Sequence, residues 1–234
     1  MKILALETAT EACSAALLLD GHMIERYRLA PREHTRLILP MIDSLLDEAR
    51  IRLHELDALA FGRGPGSFTG VRIAAGIVQG LAMGAELPVV PVSTLAAMAH
   101  GCFAEYAAAT AFVALDARMG EVYWGVYQKD ANSGVRLLGE EAVLAADAIE
   151  FELSVPDQSA GIGSGWGSYA EILGEGLKGC VKQIAPEIYP RASSVAVLAQ
   201  QEFRQGLALP PKMALPIYLR NQVARKPGKV NNGL

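Results

Sequence analysis

The sequence predicts an α/β protein in which one unit of strands and helices occurs twice. Two features indicate this class. Short apolar segments typical of strands alternate with longer segments in which apolar residues recur at helical spacing. Short internal matches, separated by offsets of 109, 99 and 100 residues, indicate the duplication. The 234 residues, 51% of them hydrophobic, are enough to form a substantial core.

The chain begins with a predicted antiparallel meander of three strands. The strands cover residues 2–6, 13–19 and 23–29. Asp20-Gly21 between the second and third strands is a strong signal for a two-residue hairpin. A polar turn, Glu7-Thr8-Ala9-Thr10, separates the first strand from the second.

Helices and strands alternate after the meander. The segment 33–50 has apolar residues at i, i+4 spacing, which predicts an amphipathic helix. Ser93 is a good N-cap for the alanine-rich helix that completes the unit. In order, the predicted elements are helix 33–50, strand 56–61, glycine loop 62–66, helix 69–85, strand 88–92 and the helix after Ser93.

The second half of the chain repeats features of the first in the same order. We interpret the matches as a duplicated β-β-β-α-β-α unit and predict an N-terminal domain 1–106, a C-terminal domain 107–209 and a basic tail 210–234. The matching pairs are residues 113–116 with 4–7, 161–165 with 62–66, and 194–196 with 94–96.

Composition excludes several classes of protein. The three cysteines, Cys13, Cys102 and Cys180, are far apart and odd in number, which argues against a disulfide framework or a cysteine zinc site. The N-terminus lacks the apolar segment of a signal peptide. The longest apolar run has 13 residues, whereas a membrane span needs about 20. We therefore expect a soluble cytoplasmic protein.

Charge is distributed unevenly along the chain. Residues 1–202 carry 15 basic and 25 acidic side chains, whereas the rest of the chain has six basic residues and no acidic one. Such a tail is able to contact an anionic partner such as tRNA, or it is simply a solvated surface. The acidic body argues against a general nucleic-acid-coating protein.

A mixed sheet that starts with a hairpin, is covered by helices and is duplicated across a cleft resembles the actin, sugar-kinase and Hsp70 superfamily with its ribonuclease H-like fold. In that fold the turn after the first strand of each half faces the cleft. The resemblance therefore implies that Glu7 and Asp116 face each other there. Such a pair is suited to holding magnesium or to acid–base chemistry. The alternative, which we favour, is that both residues stabilise turns or pair with Arg118.

Three segments carry a closer resemblance: LALETAT at 4–10, GRGPGSFTGVRIA at 62–74 and LDARMGEVYWGVY at 115–127. Together with PIYLR at 216–220 they resemble the TsaB (YeaZ) family. The resemblance implies a non-catalytic subunit that binds and stabilises the TsaD transferase. With the TsaE ATPase, that complex makes threonylcarbamoyladenosine at position 37 of tRNAs that read ANN codons. Threonylcarbamoyl-adenylate, ATP and a metal belong to the partner subunits, and a homodimer is expected when the chain is alone.

The helix 69–85 has an unusual strip of glycines at positions 76, 80 and 84. An interior helix glycine costs about 0.5–1 kcal/mol relative to alanine, so close packing is expected to compensate. Packing within the chain is one interpretation. We favour a partner surface made with the helix 33–50, as the resemblance also implies. The predicted interface residues are Leu37, Met41, Leu45, Ile73, Gly76, Ile77, Gly80 and Leu81.

The glycine loop that precedes this helix has the composition of an anion-binding loop, because backbone N–H groups at a helix N-terminus attract anions. The candidate residues are Gly64, Gly66, Ser67, Thr69 and Arg72. The loop does not have the spacing of a phosphate-binding loop with G-K-[ST] or of G-x-G-x-x-G. We therefore favour a tight turn capped by Ser67 or Thr69.

Two enzymatic alternatives are weaker. An ATP-dependent small-molecule kinase of the same fold would need a nucleotide site, which the loop does not indicate. A metallopeptidase would need paired metal ligands, but His22, His34, His54 and His100 are never one helical turn apart. We assign no catalytic residue, no metal and no cofactor to this chain.

Overall fold

The computed structural model describes residues 1–130, 134–151, 158–177 and 179–220. Within these ranges the chain forms ten strands and five α-helices. The strands are β1 (Lys2–Glu7), β2 (Ala12–Leu19), β3 (His22–Leu29), β4 (Ala58–Gly62), β5 (Val89–Val92), β6 (Thr110–Arg118), β7 (Glu121–Lys129), β8 (Val135–Ala145), β9 (Ser159–Ile162) and β10 (Gln183–Ala185). The helices are α1 (His34–Ala49), α2 (Phe68–Ala85), α3 (Thr94–Glu105), α4 (Ser164–Gly176) and α5 (Ala192–Arg204).

The strands form two mixed sheets of five strands each. The first has the order β3-β2-β1-β4-β5 and the second β10-β9-β6-β7-β8. In both sheets the first three strands are an antiparallel meander, and the first strand also pairs in parallel with a later one, β1 with β4 and β6 with β9. The predicted fold class, a duplicated mixed α/β architecture, is confirmed.

The second copy of the unit differs from the first between its third and fourth strands. In the first half the long helix α1 connects β3 to β4. The described residues between β8 and β9 contain only a short 3-10 turn, Ala146–Ala148. The predicted β-β-β-α-β-α order is therefore complete in the first half, whereas α1 has no counterpart in the described part of the second.

The amphipathic pattern of α1 accounts for its position on the first sheet. Its buried residues, His34, Ile38, Ile42 and Leu45, lie along one stripe. The helix ends where Arg50 adopts a left-handed conformation with φ of 53° and donates its N–H to the last turn.

Helices cover both faces of each sheet. On the first sheet α1 and α2 pack against one face and α5 against the other. On the second sheet α4 covers one face and α3 the other. The final helix of each half therefore packs on the sheet of the other half. Ser14 on β2 accepts a hydrogen bond of 2.9 Å from the N–H of Ala192, at the start of α5.

Helix α2 is the one helix in the described ranges that is long and apolar enough to cross a membrane. About a third of it is buried. Its side chains Ala74, Ala75, Val78 and Ala82 belong to the core that it shares with the first sheet, and Val71 is also buried.

Candidate functional site

A cleft of about 570 Å³ lies between the two halves. Its walls come from the turn after β1, the loop before α2, the β6–β7 hairpin and the first turns of α4. Residues 217–220 form a further part of its lining. The turns that follow the first strands of the two halves therefore meet at this cleft, as the fold resemblance implies.

Glu7 is not part of the cleft lining, because its side chain is completely buried. Its carboxylate accepts hydrogen bonds from the N–H of Ala9 at 2.6 Å and from the hydroxyl of Thr94 at 3.3 Å. Desolvation by burial raises the pKa of Glu7 from 4.5 to about 7, although these bonds oppose the rise. The prediction that Glu7 faces Asp116 across the cleft is wrong.

The absence of a side chain at Gly62 makes room for this buried carboxylate. A Cβ atom at Gly62 would lie 1.9 Å from Glu7 Oε2. The turn after β1 bends back so that Glu7 bonds to backbone and hydroxyl groups of its own half. These contacts are structural, and they support the interpretation that Glu7 stabilises a turn.

Asp116 does line the cleft, and it pairs with Arg118. The Arg118 N–H donates to Asp116 Oδ1 at 2.7 Å, and its guanidinium donates to Oδ2 at 3.1 Å. The N–H of Asp116 is bonded to Ser164 Oγ at the start of α4, at 3.1 Å. The predicted alternative, in which Asp116 pairs with Arg118, is confirmed.

The glycine loop packs tightly against the turn after β1. The N–H of Ser67 donates to the carbonyl of Ala9 at 2.7 Å, and Thr8 Oγ1 donates to the carbonyl of Gly70 at 2.7 Å. A Cβ atom at Gly66 would lie 2.4 Å from the Ala9 carbonyl oxygen. These are the contacts of a tight turn, and Ser67 is its cap because its hydroxyl accepts the N–H of Gly70.

The other candidate anion-binding residues are dispersed around this turn. Gly64 is buried with φ of 98°, and its carbonyl accepts the N–H of Thr94 at the start of α3. Thr69 is exposed. The guanidinium of Arg72 lies over the ring of Phe68, 3.2 Å from its centroid, and donates to the Phe68 carbonyl.

Sequence reasoning missed a stacked cluster at this end of α2. The Arg72 guanidinium also lies 4.8 Å from the ring centroid of Tyr218, and the rings of Phe68 and Tyr218 are 6.1 Å apart. Both rings are about half exposed. The contact joins residues 150 positions apart, and the sequence signal was limited to the presence of Tyr218 in the PIYLR segment.

The predicted partner residues occupy different depths on α1 and α2. Gly76 and Gly80 are exposed, and a Cβ atom at either one would meet no described atom of the chain within 4 Å. Leu45 is fully buried in the core of its own half, so its assignment to a partner surface is wrong. The remaining predicted residues are partly buried at the edge of this core: Leu37, Met41, Ile73, Ile77 and Leu81.

The described residues contain no group of three or more His, Cys, Asp or Glu side chains arranged to hold a metal ion. His34 bonds to the carbonyl of Ala12 at 3.2 Å, and His100 bonds to the hydroxyl of Ser194 at 3.0 Å. Both contacts join elements of the fold.

Comparison with known proteins identifies relatives of the whole chain. Residues 27–227 match the family model described as TsaD, tRNA N6-adenosine threonylcarbamoyltransferase. The chain is 44% identical to the tRNA threonylcarbamoyladenosine biosynthesis protein TsaB of Escherichia coli strain K12, over 98% of this chain and 100% of that protein. It is 42% identical to the TsaB protein of Haemophilus influenzae, over 98% of each chain.

Solved structures agree with this relationship. YeaZ from Pseudomonas aeruginosa has a TM-score of 0.85 and 42% identity, covering 93% of this chain and 99% of that one. A second Pseudomonas aeruginosa structure, described as an uncharacterized protein with similarity to peptidase YEAZ, has a TM-score of 0.88 and 43% identity, covering 94% and 99%. Because these similarities extend over nearly the full length of both partners in each comparison, the chain belongs to the TsaB (YeaZ) family of tRNA threonylcarbamoyladenosine biosynthesis proteins.

Proposed function

We propose that this protein is the non-catalytic subunit that binds and stabilises a TsaD-like threonylcarbamoyl transferase, for modification of adenosine 37 in ANN-decoding tRNAs. The observation that carries the proposal is the exposed glycine strip on α2. The comparisons connect relatives of the chain with threonylcarbamoyladenosine biosynthesis, and the TsaD family model matches most of its length.

The glycine strip lowers the stability of the isolated chain. Gly76, Gly80 and Gly84 lie in the interior of α2, where each costs about 0.5–1 kcal/mol relative to alanine. Among the residues that the structure describes, no atom lies within 4 Å of the places that their Cβ atoms would take. We therefore propose that a compensating contact comes from a partner, since a bare strip lets the backbone of a second helix come close.

The apolar border of the strip supports a protein partner. Ile73, Ile77 and Leu81 are partly buried against the core and present the rest of their surface beside the glycines. Met83, which is 62% exposed, continues this surface toward the end of α2. Partly exposed aliphatic residues around a flat strip are suited to the desolvated centre of a helix–helix interface.

The cleft supports a non-catalytic role. Glu7 is buried and hydrogen-bonded to groups of its own half, and Asp116 is paired with Arg118. The N–H of Ser67, which a kinase would direct at a phosphate, is bonded to Ala9. We therefore propose that the chain supplies no catalytic group, cofactor or metal, and that ATP and metal are held by partner subunits, among them a TsaE-like ATPase. The chain would act in the cytoplasm and dimerise when TsaD is absent.

Binding to the TsaD-like subunit tests the proposal. Ile77→Glu and Gly80→Arg place a charge at the centre of the proposed face, and each should raise the dissociation constant by about 100-fold or more, because desolvated unpaired charges are costly. Ile172→Glu and Gly174→Arg are matched controls on exposed positions of α4. They should leave affinity unchanged. A folded Ile77→Glu variant that binds at wild-type affinity would exclude this face.

The kinase alternative has a separate test. A ligand that binds only the folded state raises its stability. A rise in melting temperature on addition of ATP and Mg²⁺ to the isolated chain would favour a nucleotide-binding enzyme, and we expect no such rise.

A further inference from the structure

We propose that residues 209–220 form a strap that crosses the cleft and holds the two halves in one orientation, with Arg220 as its latch. The strap follows α5, and it contains no helix or strand beyond a short 3-10 turn, Pro211–Met213. The inference goes beyond the proposed function, because it concerns the isolated chain.

The strap is anchored to the first half at its beginning. Leu209 forms an isolated bridge with Val89 on the edge strand β5, with two hydrogen bonds of 2.8 Å between their backbones. Ala214 is 2% exposed and belongs to the core beneath α2. Gln79 on α2 donates to the carbonyl of Pro211 at 3.4 Å. The first part of the strap is therefore fixed along the flank of α2.

The middle of the strap remains on the first half and reaches the mouth of the cleft. The N–H of Ile217 donates to the carbonyl of Arg63 at 2.8 Å. Tyr218 stacks against Arg72 at the beginning of α2. A Cβ atom at Gly64 would lie 3.1 Å from the carbonyl oxygen of Ile217, so the glycine loop also lets the strap pass closely.

Arg220 connects the strap to the second half. Its guanidinium donates to the carbonyl of Ala117 at 2.9 Å and pairs with the carboxylate of Glu121. These two partners lie on opposite strands of the β6–β7 hairpin. One side chain therefore holds both strands of a hairpin that belongs to the other half of the molecule.

The hairpin tip itself is conformationally costly. Arg118, Met119 and Gly120 all have left-handed backbone angles, with φ of 65°, 61° and 78°. The left-handed region is unfavourable for a residue that is not glycine, because its Cβ approaches the following carbonyl oxygen. Such a turn persists where surrounding contacts hold it, and Arg220 bonds on both sides of it.

The strap bridges the two halves on the cleft side of the molecule. Helices α3 and α5 pack against each other and against the two sheets, but neither contributes to the lining of the cleft as described. Ile217, Tyr218, Leu219 and Arg220 do contribute to it. Releasing the latch should therefore loosen the cleft side of the molecule and leave the cores intact.

Hydrogen exchange of the full-length chain, measured without any partner, tests the latch. In Arg220→Ala the amides of the 214–220 segment and of the 117–121 hairpin should exchange about tenfold faster or more, since the variant cannot form the charge-assisted hydrogen bonds. Amides of β1 and β2 should keep their wild-type rates. Arg28→Ala, at an exposed position on β3, is the matched control.

Exchange at the wild-type rate in either segment of Arg220→Ala would overturn the proposal, because a latch must protect both. If Arg220→Ala does not fold, Glu121→Gln takes its place. That variant removes the ion pair but keeps the carbonyl partner, so the same two segments should exchange faster by about threefold, and unchanged rates would again overturn it. Partner affinity does not enter this experiment, so its result is independent of the proposed function.

Discussion

Glu7 should make the stability of this protein fall as the pH rises. Burial raises the pKa of Glu7 from 4.5 to about 7, so the folded state holds the proton more tightly than the unfolded state. The stabilisation that comes from this proton is fully present below the unfolded pKa. It is lost progressively as the pH rises from the unfolded pKa through the folded pKa, because over this range the unfolded state has released the proton that the folded state still holds.

The size of the effect follows from the two pKa values. The difference between 4.5 and about 7, at about 1.4 kcal/mol for each pKa unit, corresponds to about 3 kcal/mol of unfolding free energy. Glu7→Gln keeps the shape of the side chain but has no proton to lose. Relative to the wild type, this variant should therefore gain about 3 kcal/mol between about pH 4 and about pH 8.

Urea unfolding across this pH range measures the difference directly, with the free energy extrapolated to water for both proteins. Glu11→Gln is the matched control, because Glu11 follows the same turn but is exposed. Because this variant keeps the carboxyl of Glu7, it should retain the loss of stability that Glu7 causes as the pH rises. If the free energies of the wild type and Glu7→Gln differ by the same amount at both ends of the range, the carboxyl is not held protonated and the reasoning is refuted.

Three further predictions concern the packing of the turn, the cleft and the tail. Gly62→Ala should lower the free energy of unfolding, measured with urea, by about 3 kcal/mol or more, because its Cβ collides with Glu7. Gly76→Ala, whose Cβ enters open space, should instead raise the free energy of unfolding of the isolated chain by about 0.5–1 kcal/mol. Equal unfolding free energies of the two variants would contradict these contacts. Asp116→Ala should leave threonylcarbamoylation in a reconstituted system largely intact, and a reduction of about 100-fold would reveal an acid–base role. Deleting residues 223–234, which lie outside the described residues, should lower the log–log salt slope of tRNA binding by about 0.7–0.9 for every tRNA phosphate that those residues neutralise.

The secondary structure of segments with a clear hydrophobic periodicity was predictable from the sequence. The hairpin signal at Asp20-Gly21 and the apolar segments beside it predicted the meander, since alternation and turn chemistry are local properties. The predicted helix 69–85 begins one residue earlier, at Phe68, because Ser67 provides the cap. The predicted strand 56–61 begins later, at Ala58, because the short 3-10 turn Leu53–Glu55 precedes it.

The depth of individual side chains was less predictable. Leu45 lies three positions after Ile42 and therefore on the core stripe of α1, while Leu37 and Met41 lie on its border. A helical period identifies an apolar stripe but does not divide it between the chain's own core and a partner.

The position of Glu7 depends on a contact between distant segments. The carboxylate fits because Gly62, which is far away in the sequence, has no side chain. The resemblance to a superfamily with a functional cleft predicted the place where the first turn lies. It did not predict that the turn would fold back over the acid, because that depends on the packing of the glycine loop against Thr8 and Ala9.

The reciprocal packing of α3 and α5 bears on how such a duplicated chain is able to exist. A fragment ending near residue 106 would expose to water the apolar face of its sheet that α5 covers, which includes Ile3, Ala5 and Val90. If the two units were separate chains, the last helix of each would pack on the sheet of the other, as in a two-fold symmetric dimer. Joining the copies in one polypeptide makes that exchange intramolecular, so assembly no longer depends on protein concentration.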